Sequence, residues 1–595
     1  MSKVFCGFSG KPDQKALNAM IRSSAHKILR DEAYFCVQDM NIATGHSDDT
    51  DDVTAGNGPY ACSDGKVCAV FSGDLYNVQE IRFDLEKKGR IFQTLSELVV
   101  CLYEEYGTDF ATKLNGAFVI ALWDGKRKKL LLVRDRIGER TVYYFLKDGR
   151  IFFGSDMKIL LECPFYEKEI DFESLHHYFS LRSVPQPRSI FKGIRYVLPG
   201  EILTFQKGIV QTMRYWDCVF GEGPTVTERV AVRKISTLLT ESVKERMGDG
   251  AQFGALLSGG LDSSSVVATL SKLSARPLKT FHLNYGKAVD GKLADVAAAR
   301  KIAELYKTEH HEYVMGSGEI MRNIKESIEI FDEPFGVFAP FSFFSDIEKH
   351  GQKIIFTGNG GDELFGGYAY HHLVASDSSV NVLLRQYIFS LCDFNESQKR
   401  ELYSDFLKEK TKGFDSMTVW KGYFKQASAK RYLDKIFEID IRNFLSEQTM
   451  YSIGKGADRY SLRLVNPLLD YRLVEYVASL KGEFKVRNDR KKHLLKEVVK
   501  DLLPEELINR PKEVFALSAD QCLLDGMEGH VRKILSRKRI GRHGFFEGDV
   551  VVGFVDEYYS GAAKKKPNGL SGKSYLADKL FILIIFQLWW EKQFG

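Results

Sequence analysis

The sequence lacks the features that would place the chain in a membrane or in an oxidising compartment. Its nine cysteines are scattered and form no CxxC pair, so we predict neither a disulfide framework nor a zinc site. The first residues lack the apolar core of a signal peptide. The longest apolar run, Phe581–Trp590, is too short to span a bilayer and predicts a buried helix. We therefore expect a cytoplasmic protein with no membrane partner.

The sequence also lacks an excess of charge of either sign. Lys and Arg number 84 against 79 Asp and Glu, and a net charge of +5 over 595 residues gives no reason to expect a nucleic-acid partner. The short basic run Lys564–Lys566 predicts a solvated loop. No internal repeat of solenoid length is present. With 44% hydrophobic residues, the chain can form two or three domains with full cores.

The N-terminal part, up to about residue 215, has the pattern of a layered β-structure. Several of its strands are apolar on both faces, which is typical of strands that are covered on each side. Helices are predicted at about 12–30 and 95–106. The predicted strands include Val67–Ser72, Ala117–Trp123, Leu130–Val133, Thr141–Phe145 and Ile151–Phe153.

From about residue 228, long amphipathic segments alternate with short apolar strands. This alternation predicts a parallel, doubly wound α/β sheet. Beyond about residue 375 the pattern is almost entirely helical and ends in the helix Ala577–Lys592. The predicted helices are Glu228–Arg246, Ser263–Leu273 and Ala294–Tyr306, and the predicted strands are Phe253–Leu257, Lys279–Leu283 and Lys353–Thr357.

The strongest motif is SGGLDSS at residues 258–264, directly after a predicted strand and at the start of a helix. Glycines allow close backbone approach to a pyrophosphate, and the helix start supplies N–H donors and a positive dipole end. An aspartate in such a loop repels phosphate unless Mg²⁺ lies between them, so Asp262 is a candidate metal ligand. The spacing and lysine of a Walker A loop are absent. A plain glycine turn is the alternative interpretation.

A second glycine-rich loop, residues 358–368, follows the predicted strand Lys353–Thr357. Parallel α/β sheets bind ligands at the carboxyl ends of their strands. Asp362 is therefore a candidate second ligand for the same Mg²⁺, and Glu363 is a candidate catalytic residue. The predicted ATP- and pyrophosphate-binding residues of the two loops are Leu257, Ser258, Gly259, Gly260, Leu261, Asp262, Ser263, Ser264, Gly358 and Gly360.

With these two loops, the sequence resembles the asparagine synthetase family over nearly its whole length. The resemblance implies an Ntn-type αββα sandwich with a glutaminase-like fold at residues 1–217 and a linker at 218–227. It further implies a PP-loop ATP-pyrophosphatase domain with a helical C-terminal part at 228–595. Further matching motifs are Ser72–Asn77, Arg134–Gly138, Phe153–Lys158, Leu198–Glu201, Tyr215-Trp216, Asp332–Pro334, Leu469–Glu475 and Arg510–Lys512.

The resemblance implies that Mg²⁺-ATP adenylates a carboxylate, that pyrophosphate leaves, and that a nitrogen nucleophile then displaces AMP. Lys512 matches the family's lysine that steadies the adenylate and the tetrahedral intermediate. A buried ammonium suits that role because both species are anionic.

The glutaminase-like half departs from the family pattern. A working glutaminase of this family has a nucleophilic cysteine directly after the initiator methionine, whereas residue 2 is serine here. Cys6 imitates the family's opening in one alignment and is an insertion in a strand in another. The family's Arg-Gly-Pro-Asp element is missing at Asp39–His46, and Gln93–Glu97 lacks the aspartate that binds the glutamine ammonium. We expect this domain not to hydrolyse glutamine.

The synthetase half departs where the acceptor should bind. Asn359 stands where ammonia-using relatives have a glutamate, and an asparagine is no base at neutral pH. Relatives that close β-lactams or lasso-peptide macrolactams also differ from glutamate at this position. The stretch between Asp458 and Pro467 is shorter than in the family. Asn359 is therefore a candidate residue of the acceptor pocket.

Three functions remain open at this point. The first is an amide synthetase that joins a small-molecule or peptide carboxylate to an amine, including a cyclase that forms a β-lactam or macrolactam. The second is a glutamine-hydrolysing asparagine synthetase with a processed N-terminus at Cys6, and the third is a silent regulatory protein. The oligomeric state stays open, with a homodimer as one option.

Overall fold

The computed structural model describes the chain as an α/β protein. The described residues are 3–23, 31–37, 39–46, 58–62, 66–248, 252–286, 293–316, 318–376, 392–487, 490–510, 517–523, 526–561 and 572–595.

The N-terminal part contains two six-stranded sheets whose strands pair antiparallel, in the orders β10-β8-β9-β1-β3-β2 and β12-β11-β7-β6-β5-β4. The strands are β1 (Lys3–Ser9), β2 (Asp31–Val37), β3 (Met40–His46), β4 (Tyr60–Ala61), β5 (Val67–Leu75), β6 (Gly116–Asp124), β7 (Lys129–Arg134), β8 (Tyr143–Lys147), β9 (Arg150–Gly154), β10 (Arg195–Tyr196), β11 (Glu201–Gln206) and β12 (Ile209–Arg214).

The two sheets stack face to face, and helices cover their outer faces. Alternate residues of β5, β6 and β7 are buried on opposite faces, because one set packs between the sheets and the other packs under helices. The predicted αββα sandwich is therefore confirmed. The helices of this part are α1 (Gln14–Ser23), α2 (Val78–Glu86), α3 (Leu95–Tyr106), α4 (Met157–Leu161) and α5 (Phe172–Leu181).

The second part is built on a five-stranded parallel sheet in the order β15-β14-β13-β16-β17. The doubly wound prediction is confirmed, but the three-residue strand β17 lies in a region predicted as helical. It joins the sheet because its backbone pairs with β16. The strands are β13 (Phe253–Leu256), β14 (Lys279–Asn284), β15 (Glu309–Val314), β16 (Ile354–Phe356) and β17 (Arg463–Val465).

Helices flank this parallel sheet. They are α6 (Glu228–Met247), α7 (Leu261–Leu273), α8 (Leu293–Tyr306), α9 (Glu319–Ile330), α10 (Phe341–Lys349), α11 (Gly361–Phe365) and α12 (Ala369–Ser376). The segment 218–227, predicted as a linker, contains neither helix nor strand. Its backbone is held in place by the N–H groups of Gly221 and Gly223, which donate to the carbonyls of Ala478 and Ser479 at 2.9 and 2.8 Å.

The C-terminal part is helical, with a π-helix at Asp440–Met450. The final helix is buried as predicted: the Tyr178 hydroxyl donates to the Ile582 carbonyl at 3.0 Å, and the Trp589 indole donates to the Asp332 carbonyl at 2.7 Å. Within the described ranges, no helix is long and apolar enough to cross a membrane. The α-helices are Glu396–Leu402, Asp405–Lys410, Met417–Gln426, Tyr432–Ile439, Tyr451–Arg459, Tyr471–Ser479, Gly482–Lys485, His493–Val498, Glu505–Ile508, Ala519–Leu523, Glu528–Ile534, Arg537–Ile540, Gly548–Tyr559 and Gly572–Phe594. Short 3-10 helices lie at Gly107–Lys113 and Pro467–Leu469.

Candidate active site

The loop after β13 is held together by its own hydroxyl groups. The hydroxyls of Ser258 and Ser263 lie 3.0 Å apart, and those of Ser263 and Ser264 donate to the Gly260 carbonyl at 3.1 and 2.6 Å. The Leu257 carbonyl lies 2.8 Å from Nδ1 of His282 on β14. This network fixes the loop just before α7, and the first N–H groups of a helix point outward from its N-terminal end.

Arg510 fastens the same loop from outside. Its guanidinium donates to the Gly259 carbonyl at 2.9 Å and forms an ion pair with Asp295 of α8. Gly259 has a φ of +78°, and a Cβ at this position would lie 2.4 Å from the Asp295 carbonyl oxygen. A glycine is therefore required here by contact with α8. Pro511 and Lys512, the remainder of the motif, lie outside the described residues.

The two glycine-rich loops touch each other. A Cβ at Gly358 would lie 2.5 Å from the Ser263 nitrogen and 2.9 Å from Cβ of Asp262, so only glycine permits this approach. Gly360, with a φ of +84°, caps α11 and packs against Leu469. The carboxyl ends of β13 and β16 thus bring the two predicted loops into one place.

The two predicted metal ligands face a common point, which is occupied by an ammonium group. Nζ of Lys492 lies 2.5 Å from Oδ2 of Asp262 and 2.6 Å from Oδ1 of Asp362. Lys492 is buried, with a φ of +53° at the N-terminus of the helix His493–Val498. Burial alone would lower the pKa of Lys492, but the two carboxylates raise it. Lys492 is not among the predicted site residues, because no motif marks it.

The carboxylate groups of Asp262 and Asp362 are of the type that binds a magnesium ion together with a nucleotide, and the point between them holds Nζ of Lys492 in this structure. Mg²⁺ is commonly held by one or two carboxylates plus phosphate oxygens and water. No group of three or more His, Cys, Asp or Glu side chains with metal-ligand spacing occurs in the described part of the chain. The donor set is therefore one that a cation would share with a triphosphate, and Lys492 adds a further positive charge beside it.

Glu363 lies beside Asp362 but is buried beneath the loop. Its carboxylate accepts hydrogen bonds from the hydroxyls of Tyr368 at 2.8 Å and Thr449 at 3.3 Å. Burial and the neighbouring charge of Asp362 raise the pKa of Glu363 to about 7. With an exposed fraction of 2%, Glu363 is positioned to fix the loop rather than to meet a solvent-borne substrate.

Asn359 lines a small cavity of about 30 Å³ between the two domains. Its Nδ2 donates to Oδ1 of Asn466 at 3.0 Å, and Nδ2 of Asn466 donates to Oε2 of Glu139 at 2.6 Å. Asn359 follows Gly358 directly, so the cavity adjoins the paired loops. The lining residues are Ala117, Glu139, Arg140, Asn359, Met450, Ile453, Gly454, Ala457, Asp458, Leu462, Leu464 and Asn466. Residues of the stretch between Asp458 and Pro467, which departs from the family pattern, therefore form part of the cavity wall.

One other motif of the sequence, Asp332–Pro334, lies at the interface between the domains. Glu333 accepts hydrogen bonds from the Tyr196 hydroxyl and the Ile190 N–H, each at 2.5 Å. Asp332 forms ion pairs with Lys455 of the same half at 2.8 Å and with Lys158 of the sandwich at 4.0 Å. Both acidic residues of the Asp332–Pro334 motif thus anchor the sandwich to the synthetase half.

Cys6 lies in the middle of β1, opposite Ala43 of β3 and Gly154 of β9. Its side chain is fully buried. Burial and the neighbouring Cys163 raise the pKa of the Cys6 thiol well above its usual range. A thiol in this environment is a poor nucleophile.

The fold and the paired loops define a class of two-domain proteins in which an Ntn-type sandwich is joined to a PP-loop domain. The chain belongs to the asparagine synthase family, whose model matches residues 234–591, and the glutamine amidotransferase domain model matches residues 1–216. Members of this family are carbon–nitrogen ligases, and membership supports ATP-dependent amide synthesis from a carboxylate and an amine donor.

Curated relatives cover most of the chain at low identity. The glutamine-hydrolyzing asparagine synthetase 1 of Bacillus subtilis (strain 168) is 26% identical over 575 residues, which are 90% of this chain and 87% of that protein. Amidase chyE of Penicillium rubens is 22% identical over 587 residues, covering 87% and 86% of the two chains.

Among solved structures, the glutamine phosphoribosylpyrophosphate amidotransferase from B. subtilis complexed with ADP and GMP matches with a TM-score of 0.28 and 11% identity. That match covers 53% of this chain and 81% of the amidotransferase chain. The NH3-dependent NAD synthetase from Campylobacter jejuni matches with a TM-score of 0.17 and 13% identity, covering 33% and 97% of the two chains.

Proposed function

We propose that this chain is an ATP-dependent amide synthetase with altered acceptor specificity. The observation that carries the proposal is the meeting of two glycine-rich loops, with Asp262 and Asp362 both directed at Nζ of Lys492. Two carboxylates held at one point beside a helix N-terminus suit a metal-bound triphosphate. The substrate carboxylate attacks the α-phosphorus of ATP, pyrophosphate leaves, and an amine then displaces AMP from the adenylate.

In this proposal the chain's own residues bind and orient the reactants. The loop 258–264 and the start of α7 hold the phosphates through N–H groups, while Asp262 and Asp362 would hold Mg²⁺, which neutralises phosphate charge when bound. Lys492 adds charge at the same place. Lys512 steadies the adenylate and the tetrahedral intermediate, and the cavity beside Asn359 receives the amine.

We propose that the sandwich domain does not hydrolyse glutamine and acts as a scaffold. The support is the environment of Cys6. Its backbone pairs within the sheet as part of β1, and its thiol is buried and has a raised pKa. Free ammonia, a small amine or an amine within the substrate remain candidate acceptors, and the last would make the enzyme a cyclase.

A glutamine-hydrolysing asparagine synthetase is the second candidate. It is favoured by the similarity to the glutamine-hydrolyzing asparagine synthetase 1 of B. subtilis, which extends over 90% of this chain. Release of glutamate from glutamine, lost in Cys6→Ala, would support this candidate over the first.

Exchange of labelled pyrophosphate into ATP tests the proposal. The probes are L-aspartate first and then the other amino acids as carboxylates, each with Mg²⁺ and with EDTA. We expect Mg²⁺-dependent exchange in the wild type and none in Asp262→Asn or Asp362→Asn, because the triphosphate would face the loops without its metal.

The matched control for this assay is Asp393→Asn. Asp393 forms an ion pair with Arg182 at 2.6 Å, remote from both loops, so its removal tests whether loss of a buried carboxylate alone stops exchange. Normal exchange in Asp262→Asn or Asp362→Asn would contradict the metal-ligand assignment. Absence of exchange with every carboxylate would count against adenylation.

A further inference from the structure

The cavity beside Asn359 is completed by a carboxylate from the other domain. Glu139 belongs to the sandwich, lines the cavity and accepts a hydrogen bond from Nδ2 of Asn466 at 2.6 Å. Asn466 in turn accepts from Nδ2 of Asn359 at 3.0 Å. A short chain of polar groups therefore joins Glu139 to the loop that follows β16.

The loop that carries Glu139 is rigidly built. Asp135 accepts hydrogen bonds from the backbone N–H groups of Ile137, Gly138, Glu139 and Arg140 at 2.7–3.1 Å. The buried guanidinium of Arg134 donates to the carbonyls of Gly138 and Arg140 at 3.0 and 2.6 Å. These hydrogen bonds fix the backbone position of Glu139, and a group that takes part in a reaction must be held in a fixed position.

The other polar groups of the cavity are poor candidates for accepting a proton. Asn359 and Asn466 are amides, and Arg140 carries only donors. The remaining carboxylate, Asp458, is held in an ion pair with Arg140 at 2.9 Å, so one of its oxygens is already engaged.

We propose that Glu139, from the glutaminase-like domain, is the general base that takes a proton from the acceptor amine in the cavity beside Asn359. This role rests on the proposed function. The amine nitrogen forms a bond to the acyl carbon of the adenylate, one N–H proton passes to the Glu139 carboxylate, and the C–O bond to AMP breaks with its electron pair leaving on AMP. No oxidant or further reactant is needed.

The charges around Glu139 suit this exchange of a proton near neutral pH. Burial and the charge of Asp135 raise the pKa of Glu139 to about 7, against the lowering effects of the Asn466 hydrogen bond and of Arg246 and Arg140. Tyr76 also faces Glu139, and its own pKa is raised by burial and by this carboxylate. A base is most effective when its pKa lies near the working pH.

The test separates adenylation from amide formation. Pyrophosphate exchange reports the first, and hydroxamate formation with hydroxylamine reports the second. The concentration of neutral hydroxylamine is held constant at every pH, so that protonation of the nucleophile does not shape the profile. We expect Glu139→Gln to keep wild-type exchange but to lower hydroxamate formation by about 10²–10⁴-fold, the usual contribution of a general base.

The pH profile supplies a second readout. The base must be ionised, so wild-type hydroxamate formation should rise with pH through about 7, following the raised pKa of Glu139. This limb should vanish in Glu139→Gln and persist at a lower rate in Glu139→Asp. The matched control is Glu475→Gln, because Glu475 accepts from the Trp216 indole at 2.7 Å across the same domain interface without lining the cavity.

The outcomes distinguish the two proposals. If Glu139→Gln keeps both pyrophosphate exchange and the wild-type rate of hydroxamate formation, the role of Glu139 is wrong and the proposed function stands. Absence of exchange in the wild type overturns the proposed function and this role with it. If Glu139→Gln fails to fold by circular dichroism, Glu139→Asp decides: a retained pH limb at a lower rate supports the base, and a profile without that limb overturns it.

Discussion

Replacing Lys492 by methionine removes a positive charge that contacts both Asp262 and Asp362. Because both carboxylates contact one nitrogen, they lie within about 5 Å of each other and repel by about 3 kcal/mol at an effective dielectric constant of about 20. Loss of one partner from a buried ion pair costs about 3–5 kcal/mol. We expect Lys492→Met to lower the free energy of unfolding by about 3–5 kcal/mol when Mg²⁺ is absent.

Magnesium should return part of this stability. A cation that binds the folded state at about a hundred times its Kd adds about 2.7 kcal/mol. Urea denaturation with EDTA measures the loss of stability in Lys492→Met, and urea denaturation with Mg²⁺ measures the part that the cation restores. Pyrophosphate exchange should nevertheless fall by about a hundredfold or more, because the variant lacks the ammonium group that stabilises the negative charge of the phosphates.

Lys455→Met is the matched control for this prediction. Lys455 also joins two carboxylates, Asp156 at 3.2 Å and Asp332 at 2.8 Å, and neither of these belongs to the glycine-rich loops. The Lys455→Met variant should show a comparable decrease in the free energy of unfolding, while its folded form keeps the wild-type rate of pyrophosphate exchange. The reasoning would be refuted if Lys492→Met were as stable as the wild type without Mg²⁺, or if its rate of pyrophosphate exchange were unchanged.

Three further predictions concern the adenylate, the acceptor and acid stability. Lys512→Met should leave ATP binding nearly intact, measured by calorimetry, and lower product by about a hundredfold or more; unchanged product would remove its assigned role. Asn359→Glu should keep pyrophosphate exchange and change which amines are accepted, towards ammonia, in a product assay; loss of exchange would contradict the pocket assignment. Burial alone would raise the pKa of Asp470, but the Arg472 hydrogen bond and the charge of Arg246 lower it, so its stabilisation is complete above the unfolded pKa of about 3.9 and is lost as pH falls towards the depressed folded value. Asp470→Asn should flatten the acid limb of stability measured by urea denaturation, and an unaltered limb would count against this linkage.

The sequence predicts those parts of the fold that depend on local pattern. The helix Leu95–Tyr106 and the strand cores within β5, β6 and β7 follow from apolar periodicity, and both glycine-rich loops lie after strands as expected. The short strand β17 escapes prediction because three residues carry too little pattern, and its place is fixed only by pairing with β16.

The site depends more on contacts between distant residues. Glu139 and Asn466 are 327 positions apart, and Lys492 meets Asp262 across 230 positions. Neither approach has a local signal, since a lone lysine or glutamate is usually a solvated surface charge. The motif Asp332–Pro334 shows the reverse, because its acidic residues match a family pattern yet contact the opposite domain.

The cavity beside Asn359, which we propose receives the acceptor amine, is lined by residues of both domains, and this has a practical consequence for protein engineering. Ala117, Glu139 and Arg140 come from the sandwich, while Asn359, Asp458 and Asn466 come from the other half. Exchanging the sandwich for that of a relative would therefore replace one side of the cavity and leave both glycine-rich loops unaltered. Acceptor choice could thus be varied by grafting a domain that carries no nucleotide-binding residue.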